Sequence, residues 1–313
     1  MKKSLRLSLR VAVSGILLAY LLSRVDIKFI LSSLNSANLF WLAVTFSLHI
    51  VAKFISGYRW QLLLATQDIH IPLKTLISSL LVGQFFNNFS PSTIGGDIMR
   101  TYDTSKYSKN AAVSLTVILV ERLTGFLALL LIAALAMVFG FRSLGDTSLL
   151  WALIGFFSLI LLVFLGLFNS TLSRQIRKIF NFRGLSRIRG KIDKVYQALD
   201  LYKSKRKGLL VTFLFGLALQ VSVVVHYYLI GLALDLHVSV LYFFIIIPLV
   251  HLILLLPVSI NGIGVRENAY VLFLGKIGVE GSIGIALSWL AFGMMLIVGV
   301  IGGVIYAVRK LPG

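Results

Sequence analysis

Long apolar segments separated by short polar stretches run through the whole chain. Crossing a bilayer as a helix takes about 20 apolar residues, and six segments reach that length. Because these runs are continuous and do not alternate polar with apolar, they are typical of helices and not of barrel strands. The pattern predicts an all-α polytopic membrane protein with about six full transmembrane helices. These helices are expected at about 8–24, 38–58, 111–139, 148–169, 209–233 and 281–308.

Two further apolar segments, at about 73–90 and 239–257, are shorter, and each runs into a Pro/Gly/Ser-rich stretch. The stretch from Arg174 to Lys207 carries twelve Lys/Arg, which predicts a cytoplasmic connector at about 170–207. With a basic N-terminus inside, the connector is cytoplasmic only if 73–90 enters the membrane and returns. The same reasoning for the second short segment places the C-terminus inside. The charges therefore predict two re-entrant helical hairpins and cytoplasmic N- and C-termini in the cytoplasmic membrane.

The basic residues before the first apolar run also resemble the start of a signal peptide. The run lacks a small-x-small cleavage site, so we interpret it as a retained first helix.

The two Pro/Gly-rich stretches resemble each other. Pro91 precedes Arg100 with the same spacing as Pro257 precedes Arg266, and Thr/Ser, Ile and Gly also align. The flanking spans run in opposite directions, which indicates inverted repeats at about 38–139 and 209–308 within a single membrane domain, 1–313. Broken segments in inverted repeats are typical of transporter sites near the bilayer midplane.

Composition agrees with this architecture. Hydrophobic residues make up 58% of the chain and charged residues 13%, against about 25% charged in soluble domains. The net charge of +19 is interpreted as the positive-inside bias and contact with anionic lipid, not as a nucleic-acid site. There is no cysteine, and neither a nucleotide-binding motif nor a metal-binding histidine spacing is present, so no cofactor or metal is expected. We interpret the histidines as non-ligands. They are His49, His70, His226, His237 and His251.

The hairpin tips are the predicted site. Irregular backbone at membrane depth requires a protein-lined or water-filled surrounding, so the tips predict a polar cavity. The residues that would form this backbone are Pro91, Gly95, Gly96, Pro257, Gly262 and Gly264. Arg100 and Arg266 are candidates to bind a lipid phosphate, because a guanidinium donates two parallel hydrogen bonds; the alternative is that they extend to the interface as anchors. Polar residues at the tips would bind the headgroup or cap half-helices. They are Asn87, Asn88, Ser90, Ser259 and Asn261.

Glu121 and Arg122 lie within the span at 111–139, where a charge costs about 2.5–3.5 kcal/mol. Glu121 is expected to pair with Arg100 or Arg266, and Arg122 to face the cavity or another acid. The alternatives are a purely structural ion pair and a pair that relays protons and so couples transport. Asp97 and Glu267 flank the two arginines and are expected to position them. Lys53 and Arg59 fit the cytoplasmic end of their span and are interpreted as interface residues.

Three motifs, in order, resemble the lysylphosphatidylglycerol synthetase transmembrane-region family, also called the flippase-like domain family. They are Phe86–Arg100, Glu121–Leu123 and Leu256–Glu267. The resemblance implies a membrane protein that moves phospholipids or related lipids between leaflets. Full-length synthetases add an aminoacyl-transferase domain, and the sequence ends after its last span, so we expect a stand-alone, transporter-like member and not an enzyme.

The predicted function is a flippase- or scramblase-like lipid translocase acting on an anionic headgroup. The alternatives are an ion or small-solute secondary transporter, and an enzyme or subunit that handles a lipid-linked precursor.

Overall fold

The computed structural model describes residues 37–89, 94–144, 205–254 and 262–309, together with 32, 35, 154–155, 158, 161–162, 197–200 and 202. Within these ranges the chain is helical and contains no strand. The helices are α1 (Leu39–Ala65), α2 (Leu73–Asn87), α3 (Ile94–Ser108), α4 (Ala111–Leu144), α5 (Arg206–Ala233), α6 (Val240–Ile253), α7 (Val265–Gly275) and α8 (Gly281–Val308).

Four helices are long and apolar enough to cross a membrane, and each coincides with a predicted span. They comprise Leu39–Ala65, Ala111–Ala136, Lys207–Ala233 and Gly281–Val308. The protein is therefore a multi-pass membrane protein. The predicted span at 8–24 lies outside the described residues, and the one at 148–169 lies almost entirely outside them.

Side-chain caps explain where several helices begin. Asn38 Oδ1 accepts the N–H of Phe40 at 3.0 Å at the start of α1, and Asn110 Oδ1 accepts that of Ala112 at 3.1 Å at the start of α4. Ser239 Oγ caps α6 in the same way. Such caps satisfy N–H groups that have no partner within the helix.

Short helices flank both Pro/Gly-rich stretches. Helices α2 and α3 have 15 residues each, and α6 and α7 have 14 and 11. At 1.5 Å per residue none exceeds about 23 Å, which is less than the roughly 30 Å hydrocarbon core. The short apolar segments predicted from the sequence are thus helices that cannot cross the bilayer individually.

The described residues belong to two compact units. The first takes its residues from Met1–Lys53, Ile77–Arg100 and Ser222–Gly313, and the second from Phe54–Leu76 and Thr101–Val221. Both Pro/Gly-rich stretches fall in the sequence range of the first unit.

Helix α8 packs closely against α2 in the first unit. A Cβ on Gly302 would overlap the carbonyl of Leu81, and one on Gly303 would lie 2.8 Å from the ring of Phe85. Small residues let helix backbones approach closely in membrane proteins. The glycines of α8 therefore bring α2 into direct contact with the C-terminal half of α8. Beside them, the rings of Phe86 and Tyr306 meet edge-on.

Part of the basic connector packs into the second unit. Ala198, Leu199 and Tyr202 are buried there, and the Tyr202 hydroxyl donates to the carbonyl of Leu63 at 2.9 Å. Burial raises the pKa of the Tyr202 phenol, which keeps this donor protonated. The end of the connector is thus anchored on the second unit; the remainder of the predicted basic connector lies outside the described residues.

Candidate functional site

The first motif forms a tight contact between α2 and α3. A Cβ on Gly96 would lie 2.6 Å from both the carbonyl oxygen of Gly83 and the side chain of Asn87. Asn87 Oδ1 accepts the N–H of Gly96 at 2.6 Å, which is the capping role considered from the sequence. The predicted irregular backbone at Gly95 and Gly96 is replaced by the first turn of α3, where the missing side chain of Gly96 permits close approach.

Arg100 lies on the inner side of this contact. Its aliphatic stem would be 3.4 Å from a Cβ on Gly83, and its guanidinium lies 3.8 Å from the carboxylate of Asp97, one turn earlier on α3. Both side chains are largely shielded. The structure therefore places Asp97 beside Arg100 as the sequence predicts.

The second Pro/Gly-rich motif, Leu256–Glu267, turns sharply before α7. Gly262 and Gly264 have φ of 79° and 83°, a conformation that side chains disfavour and glycine adopts readily. Glu267 Oε2 accepts the N–H of Gly264 at 2.6 Å and so caps α7 from its third residue. The predicted need for positive φ is confirmed at this motif.

Arg266 is buried, with 4% of its surface exposed, and it has defined partners. Its Nε donates to Ser288 Oγ at 2.9 Å, its Nη2 lies 3.5 Å from Glu267 Oε1, and its guanidinium stacks 4.4 Å from the centre of the Phe292 ring. Ser288 also donates to Glu267 at 3.2 Å. The alternative of an interface anchor is therefore wrong for Arg266, which lies in a closed network.

The two motifs meet on α8. Trp289 and Phe292 form a small buried cluster, and partly buried side chains from both motifs pack against it: Phe89 from the first and Ile263 from the second. The C-terminal end of α2 and the turn before α7 therefore pack against the same part of α8.

A cavity of about 190 Å³ opens in the first unit. Its lining comes from helices α1, α2, α5, α6 and α8, and it combines apolar groups with several polar ones. The lining residues with polar side chains are His49, Lys53, Gln84, Ser222, His226, Tyr227 and His251.

Hydrogen bonds connect this cavity to the first motif. Lys53 Nζ donates to Gln84 Oε1 at 3.0 Å, and Gln84 Nε2 donates to Asn88 Oδ1 at 3.4 Å. Asn88 is 1% exposed and lies against Gly299, where a Cβ would overlap its amide. The predicted residue Asn88 thus supports the cavity through Gln84.

Histidine and tyrosine rings form a contiguous row along the cavity. The ring centres of His49 and His226 are 5.3 Å apart, those of His226 and Tyr227 5.4 Å, and those of Tyr227 and His251 5.9 Å. The buried atoms His49 Nε2 and His226 Nδ1 have no hydrogen-bond partner within the part of the chain that is described. Over those same residues, no group of three or more His, Cys, Asp or Glu is placed to hold a metal ion.

The second unit holds a different buried cation. Arg59 Nε donates to the carbonyl of Thr212 at 2.9 Å, and its Nη2 donates to the carbonyl of Glu121 at 2.8 Å and to Thr124 Oγ1 at 2.6 Å. The sequence interpretation of Arg59 as an interface residue is wrong, because only 5% of it is exposed. Gly125 and Gly216 leave the space that its guanidinium fills.

Glu121 and Arg122 lie on α4 as predicted, with Glu121 buried and Arg122 partly so. The pairing of Glu121 with Arg100 or Arg266, and the facing of Arg122 toward a cavity, stay predictions. Some predicted site residues lie outside the described ranges. These are Ser90, Pro91, Pro257, Ser259 and Asn261.

Sequence reasoning missed the cavity residues. The position of Lys53 near the end of its span predicts an interface residue, and the spacing of the histidines bears only on metal binding. The signal was present, because Lys53, His226 and His251 interrupt apolar segments, and polar groups at membrane depth mark functional positions.

A family model described as "Lysylphosphatidylglycerol synthase TM region" matches residues 7–303. Neither a curated protein nor a solved structure matches the chain. The matched range includes both motifs, the Glu121-Arg122 pair and every residue of the cavity.

Proposed function

Because the chain belongs to the lysylphosphatidylglycerol synthase TM region family, whose description indicates a role with membrane lipids, we propose that it is a lipid translocase. It moves an anionic phospholipid or related lipid headgroup across the cytoplasmic membrane, in the manner of a flippase or scramblase. The headgroup passes through a polar cavity at the two Pro/Gly-rich motifs, and the acyl tails stay in the bilayer.

The meeting of the two motifs on α8 carries this proposal. Phe89 and Ile263 pack on the same Trp289–Phe292 cluster, and a cavity with polar side chains in its lining lies in the same unit. Polar space enclosed by apolar helices shelters a headgroup from hydrocarbon, where unsatisfied polar groups are costly.

The short helices support a re-entrant arrangement. Two pairs of helices, each too short to span, flank the two motifs, as inverted hairpins require. Rocking of one repeat against the other would then expose the cavity alternately to each leaflet.

The arginines of the motifs receive the phosphate in this proposal, with Arg122 as a further contact. Asp97 and Glu267 hold Arg100 and Arg266 between transport events, and Glu121 pairs with one of them. Arg266 must exchange part of its contact with Glu267 and Ser288 for a headgroup, so binding and release are an exchange of partners. The polar residues of the tips, such as Asn88, complete the path.

Reconstitution tests the proposal. The purified chain is placed in liposomes with a fluorescent phosphatidylglycerol, and the fraction that an impermeant quencher reaches is followed with time. The parent should expose inner-leaflet lipid, and Arg266→Ala and Glu121→Gln should slow this by about tenfold, the value of one charge-assisted hydrogen bond. Lys276→Ala, an exposed cation near α7, is the matched control.

Lipid flux equal in empty and protein-containing liposomes would reject the translocase. Flux of a small ion without lipid flux would indicate a solute transporter, and a change in the mass of the lipid headgroup would indicate an enzyme. Lipid flux unchanged in both variants would remove these residues from the path.

Orientation needs a separate test. The chain has no cysteine, so Ser186→Cys introduces a single thiol into the basic connector. The proposal places this thiol in the cytoplasm, where an impermeant maleimide labels it only after the cells are opened. Labelling in intact cells would reverse the topology.

A further inference from the structure

We propose that the cavity lined by His49, Lys53, His226 and His251 is a phosphate-binding site with Lys53 as its principal charge. The identification of the bound phosphate as that of a lipid headgroup rests on the proposed function; the anion site itself does not.

The charge around the cavity selects an anion. Lys53 lies in its lining, and no Asp or Glu does so among the described residues. The stem of Arg100 lies against Gly83, next to Gln84, whose amide oxygen accepts from Lys53. Arg100 and Arg266 are each paired with an acid, Asp97 and Glu267, so the charge of the lining is that of Lys53, which attracts an anion and repels a cation.

The hydrogen-bonding groups of the cavity are incompletely used. Gln84 accepts one of the three N–H donors of Lys53. His226 is 8% exposed, and its Nδ1, like Nε2 of His49, is buried without a partner in the described part of the chain. Buried polar atoms are almost always hydrogen-bonded. In a neutral imidazole one nitrogen carries the proton and can donate to an oxyanion, so a phosphate would satisfy whichever of these two atoms is protonated.

The size of the cavity favours a headgroup-scale ligand. Its volume is about 190 Å³. Pockets for drug-sized ligands start at about 300 Å³. A phosphate group with part of a headgroup fits such a space, whereas a whole lipid does not, so the acyl chains would remain outside.

Arg266 and Lys53 differ in how far protein groups already occupy the hydrogen-bond donors that a ligand would need. Arg266 is engaged by Glu267, Ser288 and Phe292, and a ligand must displace one of these. Lys53 has a neutral amide partner and an open cavity beside it. A resting binding site therefore centres on Lys53 rather than on the motif arginine.

Binding measurements on the full chain in nanodiscs of zwitterionic phosphatidylcholine test this site. The probes are inorganic phosphate and dihexanoyl phosphatidylglycerol, with chloride as the comparison anion, and heat of binding is the readout. Lys53→Met should weaken binding of both phosphate probes by about tenfold or more, since a charge-assisted contact is lost. Lys53→Arg should retain most of the affinity, and His237→Gln, an exposed histidine, should leave it unchanged.

His226→Gln is the second variant, because it removes a cavity ring and keeps the charge of Lys53. A severalfold loss in its affinity is expected. Helical content and monodispersity of each variant show that it is folded. No binding of either phosphate probe to the parent, or equal affinities of parent, Lys53→Met and His226→Gln, would overturn the site. Chloride binding as tight as phosphate would overturn the phosphate assignment.

The two probes distinguish the sources of the phosphate. Tighter binding of dihexanoyl phosphatidylglycerol than of inorganic phosphate supports a lipid headgroup as the ligand. Binding of inorganic phosphate alone overturns the headgroup assignment but leaves the anion site standing. The liposome assay separates this inference from the proposed function. Lipid flux that persists unchanged in Lys53→Met leaves translocation standing and overturns the role of the cavity. Phosphate binding that depends on Lys53, without lipid flux in the parent, leaves the anion site standing and overturns translocation.

Discussion

Lys53 and Arg59 lie on the same helix, α1, yet the protein treats the two cations differently. Arg59, in the second unit, donates to two backbone carbonyls and a threonine hydroxyl and is almost fully enclosed. Lys53, in the first unit, donates to Gln84 and faces a cavity.

The difference follows from side-chain chemistry. A guanidinium has five donors in a fixed plane, which suits several immobile acceptors, whereas an ammonium is a compact charge on a flexible stem. Arg59 therefore joins α1 to α4 and α5 within its unit. Lys53 keeps donors that a ligand can use. The comparison teaches that a buried charge is a structural element where protein groups saturate it and a candidate binding group where they do not.

The largest expected effect is the loss of stability on replacing Arg59, the structural cation of the comparison. Arg59→Met should lower the free energy of unfolding by about 3 kcal/mol or more, because hydrogen bonds to charged groups contribute roughly 1.5–3 kcal/mol each. Reversible unfolding in mixed micelles with increasing sodium dodecyl sulfate measures this. Lys207→Met, an exposed cation at the start of α5, is the control. A cost no greater than that of the control would mean that Arg59 is not structural, and the contrast with Lys53 would disappear.

A second experiment asks whether Arg266 is a structural cation, like Arg59, or a candidate binding group, like Lys53. Its partners Glu267 and Ser288 predict that it behaves like Arg59. Arg266→Met and Glu267→Gln should each cost about 2 kcal/mol in the unfolding assay, and the double variant about 1 kcal/mol less than their sum, because residues in contact are coupled. Combining Arg266→Met with Glu280→Gln, an exposed acid at the start of α8, should be additive. Additivity in the first pair would mean that the ion pair does not stabilise the fold.

A third experiment tests how closely the space around Arg59 is fitted. A Cβ on Gly216 would lie 3.3 Å from the guanidinium, and one on Gly125 would lie 3.6 Å from it. Both are interior helix positions with the same gain in helix propensity from alanine. Gly216→Ala should therefore be less stable than Gly125→Ala by about 1 kcal/mol, since crowding of a packed site costs energy. Equal stabilities would show that the guanidinium adjusts freely, as a lysine would.

The sequence predicted the helices well and the site only partly. Apolar length identified four spans and the two short segments, because the requirement to bury backbone in hydrocarbon acts on each segment alone. Asp97 beside Arg100 and the positive φ of Gly262 also follow from local spacing and residue type. These features depend on neighbours in sequence.

The cavity depends on neighbours in space. His49, Gln84, His226 and His251 come from four different helices, and no spacing rule connects them. Arg59 shows the same limit, because its acceptors are distant in sequence and two of them are backbone carbonyls, which any residue provides. Sequence gives the positions of polar residues in apolar helices; packing alone decides which of them are saturated.

The smallest expected change is the most informative for the comparison. Lys53→Met should alter the free energy of unfolding by less than about 1 kcal/mol, because it removes one hydrogen bond to a neutral amide, worth about that much, and also removes a partly buried charge. The methionine stem fills similar space, and Gln84 keeps Asn88 as a partner. The same micelle assay, run beside Arg59→Met, gives the two values under one condition. If Lys53→Met destabilised the protein as strongly as Arg59→Met, Lys53 would be a structural element as well, and the cavity would lose its status as a site kept open for a ligand.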